Sequence, residues 1–141
     1  MLGMDMSGNS DRGLRILLVE DQPANAYLFR EFLARAPGIR CAEILVVDRL
    51  SRALELLSRE AVDLVFLDLG LPDSYGLPTF ETLHVAHPGV PVVVLSGSVD
   101  PRTEQAVLDR GAAAFLNKAD SFPGSLSRAI QDALLVIPEL R

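Results

Sequence analysis

The chain has 141 residues, a length that suits one domain with a real core and is too short for two. Hydrophobic residues make up 49% of it and charged residues 23%, which is the balance of a globular protein rather than a disordered one. The net charge of −6, with no basic patch in the sequence, argues against direct nucleic-acid binding.

The sequence shows no sign of a membrane segment. No apolar run approaches the roughly 20 residues of a membrane span, so we expect no membrane contact. The first 13 residues have neither the basic start nor the apolar run of a signal peptide, so we expect a cytoplasmic protein. We predict a flexible N-terminal tail over residues 1–13, one domain over residues 14–137 and a C-terminal tail over residues 138–141.

Short apolar runs alternate with amphipathic segments from Leu14 onward. The runs are nearly continuous and rich in Val, Ile and Leu, as is typical of strands buried on both faces of a parallel sheet. They cover Arg15–Val19, Cys41–Val47, Leu64–Asp68, Val90–Leu95 and Ala113–Asn117. The predicted helices cover Ala26–Ala36, Leu50–Arg59, Thr79–His87, Arg102–Arg110 and Leu126–Val136. Five strands that are each followed by a helix predict a three-layer, doubly wound α/β domain with a five-stranded parallel sheet.

Polar side chains follow four of the five predicted strands. Glu20 and Asp21 come after the first strand, Asp68 ends the third, and Ser96 and Lys118 follow the fourth and fifth. In an open parallel sheet, ligands bind at the carboxyl ends of the strands, where the strand order reverses. We therefore expect two or three carboxylates, a hydroxyl and an ammonium group to meet at one edge.

This set of side chains suits phosphoryl transfer. Clustered carboxylates repel one another and are stabilised by a hard divalent cation, most often Mg²⁺, which also neutralises phosphoryl oxygens. One carboxylate can then attack phosphorus and form an acyl phosphate. A lysine supplies positive charge to the phosphoryl group, and a hydroxyl donates a hydrogen bond to it.

Each of these residues also has an ordinary explanation when it is taken alone. Asp21 would serve as a helix N-cap, Glu20 as a solvated loop acid, Ser96 as a turn hydroxyl and Lys118 as a solvated strand-end lysine. Asp68 is harder to explain in this way, because no helix begins directly after it. The joint placement of the five residues, rather than any one of them, points to a site.

Other polar residues receive ordinary interpretations. Asp73, in the loop Pro72–Gly76, is interpreted as a turn residue, and Asp120 as a cap of the turn before the last helix. His84 and His87 have no second metal ligand nearby in the sequence and are interpreted as surface histidines.

Four segments together resemble the receiver domains of response regulators in two-component systems. They are ILLVEDQ (Ile16–Gln22), LVFLDLGLPDSYG (Leu64–Gly76), VVVLSGS (Val92–Ser98) and GAAAFLNK (Gly111–Lys118). The similarity runs over about Leu14 to Val136, in the order and spacing of that family. It implies a flavodoxin-like fold with strand order 2-1-3-4-5.

The resemblance implies a phosphorylation site and a metal site. Asp68 would receive a phosphoryl group from a histidine kinase or a phosphotransfer protein. Asp21, Asp68 and the backbone carbonyl of Gly70 would bind Mg²⁺, for which Mn²⁺ would substitute, and Glu20 would bind it through water. The chain would not be an enzyme, apart from the phosphorylation and dephosphorylation of its own aspartate.

The resemblance also implies a conformational switch. Ser96 matches the switch hydroxyl, Lys118 the phosphate-pairing lysine and Phe115 the aromatic switch position. Because Phe115 has no hydroxyl, it can respond only by a change in burial. The face formed by the fourth helix, fifth strand and fifth helix would bind an output domain or a downstream protein, or form a homodimer on phosphorylation.

One departure from the family pattern affects the loop after the fifth strand. Relatives commonly have Lys-Pro with a cis peptide bond, whereas this chain has Lys118-Ala119. A cis bond before alanine costs about 2.5–4 kcal/mol, so the sequence leaves open whether this bond is cis or the loop takes another path. The departure also leaves a pseudo-receiver, which binds partners without being phosphorylated, as an alternative.

Two further functions share part of this chemistry or fold. A phosphatase of the haloacid-dehalogenase type also uses an aspartate nucleophile with Mg²⁺, but it requires a second aspartate where this chain has Gly70. A flavodoxin-like cofactor binder requires a glycine-rich phosphate loop, and acids at the strand ends would repel a flavin phosphate. Neither function fits the residues as well as a receiver does.

Overall fold

The computed structural model describes residues 13–97 and 100–135 of the chain. Five strands form the main sheet, namely β1 (Leu14–Val19), β2 (Cys41–Val47), β3 (Leu64–Asp68), β4 (Val92–Ser96) and β5 (Ala114–Asn117). The helices are α1 (Pro23–Ala34), α2 (Leu50–Arg59), α3 (Leu77–Ala86), α4 (Pro101–Asp109) and α5 (Pro123–Leu135). Within these ranges, no helix has both the length and the apolar character needed to cross a membrane.

The five strands are parallel and lie in the order β2-β1-β3-β4-β5. This order confirms the predicted flavodoxin-like topology. β1 lies between β2 and β3, so that Leu18 pairs with Val46 on one side and with Phe66 on the other. The strand order reverses between β1 and β3, which is where a ligand site is expected in such a sheet.

The core consists of two apolar layers, one on each face of the sheet. All five residues of β3 are buried, and its alternate side chains pack into opposite layers because successive side chains of a strand point to opposite faces. Val65 and Leu67 pack with α2, α3 and α4. Leu64 and Phe66 pack with α1 and α5, where Phe66 meets Phe29 edge to face at 4.7 Å.

Helices α1 and α5 begin three residues earlier than the amphipathic pattern predicted. Each begins at a proline, Pro23 or Pro123. Proline suits the first turn of a helix, because its φ angle is preset and the N–H that it lacks would have no partner there. The first turn exposes several of its side chains, so an apolar pattern does not reveal it. Of the predicted tails, only Gly13 belongs to the described residues.

Two short elements that have no signal in the apolar pattern of the sequence lie next to the strand ends. Gly70–Leu71 and Ser74–Tyr75 pair as an antiparallel hairpin after β3, and the N–H of Gly76 closes it on the carbonyl of Leu69 at 2.8 Å. Gly76 has a φ angle of 75°, a conformation that favours glycine. A 3₁₀ turn over Lys118–Asp120 follows β5.

Candidate functional site

Asp68 lies at the carboxyl end of the central strand β3, and both of its carboxylate oxygens accept hydrogen bonds. The residue is 5% exposed. Oδ1 accepts a hydrogen bond from the N–H of Gly70 at 3.0 Å, and Oδ2 accepts one from Nζ of Lys118 at 2.8 Å. A buried carboxylate requires such partners, since burying an unpaired charge is costly. The side chain is therefore oriented, while the cleft beside Gly70 and Ser96 leaves it accessible.

Lys118 connects two of the predicted acids. Its Nζ lies 2.8 Å from Oε1 of Glu20 as well as 2.8 Å from Oδ2 of Asp68. Glu20 is 4% exposed, and its Oε2 accepts a hydrogen bond from the N–H of Gln22 at 3.1 Å. Lys118 is the only lysine among the 13 Lys and Arg residues of the sequence. An ammonium group is compact and fits between two carboxylates, where a planar guanidinium group would require more space.

The loop that carries Lys118 resolves the question that the sequence left open. Among the described residues there is no cis peptide bond, so Lys118–Ala119 is trans. The chain turns in a 3₁₀ conformation instead, and the side chain of Asn117 accepts a hydrogen bond from the N–H of Ala119 at 2.8 Å. The loop thus turns without a cis bond, and Nζ of Lys118 lies 2.8 Å from Asp68.

Glu20, Asp21 and Asp68 form an acidic group in which one carboxylate oxygen from each lies within 4.8 Å of the others. An all-oxygen donor set of this charge suits a hard cation such as Mg²⁺. Asp21 is not the N-cap of α1, because Gln22 occupies that position and makes no side-chain capping bond to the described residues. The residues present therefore fit the implied ion.

The pKa values of Glu20 and Lys118 are both raised. A raised pKa disfavours the ionised form of Glu20 but favours the charged form of Lys118. Burial raises the pKa of Glu20, and the hydrogen bonds from Lys118 and Gln22 offset this effect only in part. Burial also acts to lower the pKa of Lys118, but the hydrogen bonds to Asp68 and Glu20 outweigh it and raise the pKa. Lys118 is thus charged at neutral pH, and Glu20 is the acid whose ionised form burial destabilises.

The structure places the two other predicted switch residues on neighbouring strands. Ser96 ends β4, is buried, and lines the same cleft as Asp68 and Gly70. It pairs in register with Asn117, which directly precedes Lys118. Phe115 lies in β5, where it is half-buried and packs against the apolar layer that contains α2, α3 and α4.

Two residues with ordinary interpretations have unexpected surroundings. Asp73 is more than a turn residue, because its carboxylate accepts hydrogen bonds from the N–H groups of Leu50 and Ser51 at the start of α2. His84 is half-buried rather than fully exposed at the surface. Its ring stacks on Phe80 with centroids 5.1 Å apart, and its Nδ1 is buried with no hydrogen-bond partner among the described residues. No local sequence signal marks either contact.

Comparison with known proteins identifies the family. Residues 16–130 match the model of the response regulator receiver domain. The cell cycle transcriptional regulator CtrA of Caulobacter vibrioides is 31% identical over 105 residues, which are 74% of this chain and 44% of that protein. The luminescence regulatory protein LuxO of Vibrio campbellii is 33% identical over 121 residues, which are 82% of this chain and 25% of that protein. The chain thus spans less than half of these curated relatives.

Solved structures show the same fold. A CheY-like receiver domain from Methanospirillum hungatei superposes with a TM-score of 0.75 at 23% identity, covering 91% of this chain and 98% of that one. The receiver domain of a LuxO repressor protein from Vibrio parahaemolyticus gives a TM-score of 0.77 at 23% identity, covering 91% and 95%. Receiver domains bind Mg²⁺ at an acidic cluster and interact with histidine kinases and output domains. With this sheet order and the family match over most of its length, the chain belongs to the receiver domains of response regulators.

Proposed function

We propose that the chain is a phosphoacceptor switch, in which Asp68 takes a phosphoryl group from a phosphohistidine of a histidine kinase or phosphotransfer protein. The observation that carries this proposal is the two-sided support of the Asp68 carboxylate, with Gly70 N–H on one oxygen and Lys118 Nζ on the other. The same carboxylate belongs to the acidic group with Glu20 and Asp21. Orientation and local charge are the main contributions that a protein makes to phosphoryl transfer.

The chemical step needs little beyond these groups. An oxygen of Asp68 attacks phosphorus, the phosphorus–nitrogen bond to the donor imidazole breaks, and its electron pair stays on the imidazole nitrogen. Asp21, Asp68 and the carbonyl of Gly70 would hold Mg²⁺, with Glu20 bound through water, and the ion supplies neutralisation of phosphoryl charge when bound. Lys118 pairs with a phosphoryl oxygen after transfer. Loss of the group by hydrolysis resets the aspartate, and no other substrate is turned over.

The switch would run from the site to the face of α4, β5 and α5. Ser96 and Lys118 would move toward the new phosphoryl oxygens, and Phe115 would fill the space that Ser96 vacates. The half-buried position of Phe115 supports this proposal. An inward movement of the ring would add contacts with the core and reduce its exposed area. The altered face would bind an output domain or a downstream protein, or form a homodimer.

The alternative of a pseudo-receiver is less well supported. The main reason for this alternative is the Lys118-Ala119 sequence, which departs from the family pattern. The trans bond and the 3₁₀ turn keep Nζ of Lys118 at 2.8 Å from Asp68. A haloacid-dehalogenase-type phosphatase has no support either, because Gly70 provides no second carboxylate.

An apolar surface beside the site would dock the donor protein. Leu28 and Phe122 are 51% and 56% exposed, and Leu28 and Phe32 border the same cleft as Lys118. The rings of Phe32 and Phe122 lie 6.5 Å apart, which links α1 to the start of α5. A helix that carries a phosphohistidine could bury its apolar face here with the phosphoryl group near Asp68. Leu28→Asp should slow transfer from a histidine-phosphorylated protein that labels wild type, and leave labelling by acetyl phosphate unchanged.

The decisive experiment is the intact mass of the chain after incubation with Mg²⁺ and acetyl phosphate. Wild type should gain one phosphoryl group and Asp68→Asn should gain none. Asp63→Asn is the matched control, because Asp63 precedes β3 at the opposite end of the same strand, and it should label like wild type. Equal labelling of wild type and Asp68→Asn, or no labelling of wild type, would contradict the proposal. A cytoplasmic location stays a prediction from the sequence.

A further inference from the structure

We infer that Asp73 is a positioning residue for the phosphoacceptor site, because it ties the hairpin that follows Asp68 to the first turn of α2. The inference rests on the proposed function. Oδ1 of Asp73 accepts a hydrogen bond from the N–H of Leu50 at 2.8 Å, and Oδ2 accepts one from the N–H of Ser51 at 2.9 Å. More than 20 residues of chain separate these partners, so the contact joins two distant loops of the site edge.

Helix α2 depends on this contact for its cap. Its N-cap residue, Arg49, has extended backbone angles and makes no capping bond with its own side chain in the described part of the chain. The first N–H groups of a helix have no partner within the helix, and a carboxylate is favourable beside them because that end of the helix carries partial positive charge. Asp73 supplies the cap from another loop. Two bonds to two successive N–H groups also limit how the hairpin can rotate.

The hairpin connects the position of Asp73 to that of Asp68. Asp73 lies in its turn, and the pairs Leu71–Ser74 and Gly70–Tyr75 connect the turn to Gly70. The N–H of Gly70 donates to Oδ1 of Asp68 at 3.0 Å. A shift of the turn therefore changes the position of the group that orients one of the two carboxylate oxygens.

Besides Asp73, the hairpin is anchored by Leu71, which is 8% exposed and packs in the apolar layer of α2, α3 and α4. The hydroxyl groups of Ser74 and of Thr79 in α3 form a hydrogen bond at 2.7 Å. Among the described residues, it is the second side-chain hydrogen bond that connects the hairpin to a helix. Gly70 has no side chain to pack, and Tyr75 is 80% exposed. Asp73 itself is exposed, so its removal loosens the turn of the hairpin without opening a cavity in the core. Its effect on the site can therefore be separated from a general loss of stability.

The test compares Asp73→Ala with Asp63→Ala in the whole chain. Asp63 is a matched control, since its Oδ2 also accepts a backbone hydrogen bond across elements, from Arg15 N–H at 2.8 Å, but at the opposite end of the sheet. Isothermal titration gives the Mg²⁺ dissociation constant, and labelling by phosphoramidate at varied concentrations gives the rate and the half-saturation value. Amide hydrogen exchange at Leu50 and Ser51 reports the cap itself.

We expect Asp73→Ala to weaken Mg²⁺ binding and to lower the saturated labelling rate by roughly 10-fold, the scale of groups that orient metal ligands. Asp63→Ala should keep both values, and Asp73→Asn, which retains one acceptor, should fall between. Equal Mg²⁺ affinity and labelling in Asp73→Ala and wild type would overturn this inference but leave the proposed function intact. Equal losses in Asp73→Ala and Asp63→Ala would also overturn it. Failure of wild type to bind Mg²⁺ or accept phosphate would overturn the proposed function and the inference with it.

Discussion

The ammonium nitrogen of Lys118 lies 2.8 Å from the carboxylate of Asp68, although 50 residues separate them in the chain. The same nitrogen contacts Glu20 at 2.8 Å, and the two acid side chains are only 7% and 3% exposed. Lys118 thus provides the positive charge that allows two buried carboxylates to lie close together. The arrangement of the acids therefore depends on Lys118.

Substitution of Lys118 should lower the stability of the metal-free chain, and the loss of stability should be much smaller in the presence of Mg²⁺. Lys118→Ala leaves Glu20 and Asp68 without their shared partner, which should lower the free energy of unfolding by about 1–3 kcal/mol. Mg²⁺ at 100 times its dissociation constant would add about 2.7 kcal/mol to the stability of a folded state that binds it. Urea unfolding in EDTA and in Mg²⁺ measures both values. A loss of equal size in the two buffers would show that Lys118 does not neutralise the acids.

The pKa of Lys118 should be directly measurable, because the sequence has no other lysine. Its pKa lies above the ordinary 10.5 in the folded chain, since hydrogen bonds to Asp68 and Glu20 outweigh burial. A raised pKa means that the folded state binds the proton more tightly, so this stabilisation is present below 10.5 and is lost as pH rises through the folded value. NMR of side-chain ¹⁵N-labelled lysine should show this, and Asp68→Asn should bring the pKa down. An unchanged pKa in Asp68→Asn would contradict the pairing.

Acid should remove the cap that Asp73 provides. Some loss of hydration acts to raise the pKa of Asp73, but hydrogen bonds from Ser51 and Leu50 N–H leave it below the ordinary 3.8. The stabilisation is therefore present above 3.8 and is lost as pH falls through the folded value. At neutral pH, Asp73→Ala should cost about 1 kcal/mol, as expected for a helix cap. The difference between variant and wild type in urea unfolding should shrink as pH falls below 3.8, and a constant difference would refute the assignment.

Gly111 should be intolerant of any side chain. Its φ angle is 112°, and a methyl group there would lie 2.8 Å from Nε2 of His84. Strained backbone and steric overlap together should make Gly111→Ala less stable by about 1–3 kcal/mol. Gly89→Ala is the control, because no described atom lies within 4 Å of the added methyl group. Thermal unfolding compares the two variants, and equal midpoints would contradict the close contact with His84.

Much of the fold was predictable because it follows from local pattern. Apolar runs of strand length, such as Leu64–Asp68, indicate a sheet buried on both faces, and the structure confirms the predicted strand order. The carboxyl ends of parallel strands share one edge, so Glu20, Asp68 and Lys118 were expected to meet, and their atoms do lie within hydrogen-bonding distance. Helix starts at Pro23 and Pro123 were placed too late, since exposed first turns carry no apolar signal.

By itself, the sequence determined the parallel α/β sheet and the edge at which the acids and Lys118 gather, because both depend on strand direction and apolar periodicity. Only the tertiary structure decided that Lys118–Ala119 is trans, that Asp73 caps α2, and that His84 stacks on Phe80. These features depend on how separate elements pack against one another. A hydrogen bond between Asp73 and Leu50 has no counterpart in the local sequence of either residue, and it exists only once the two loops have been brought to the same edge of the sheet.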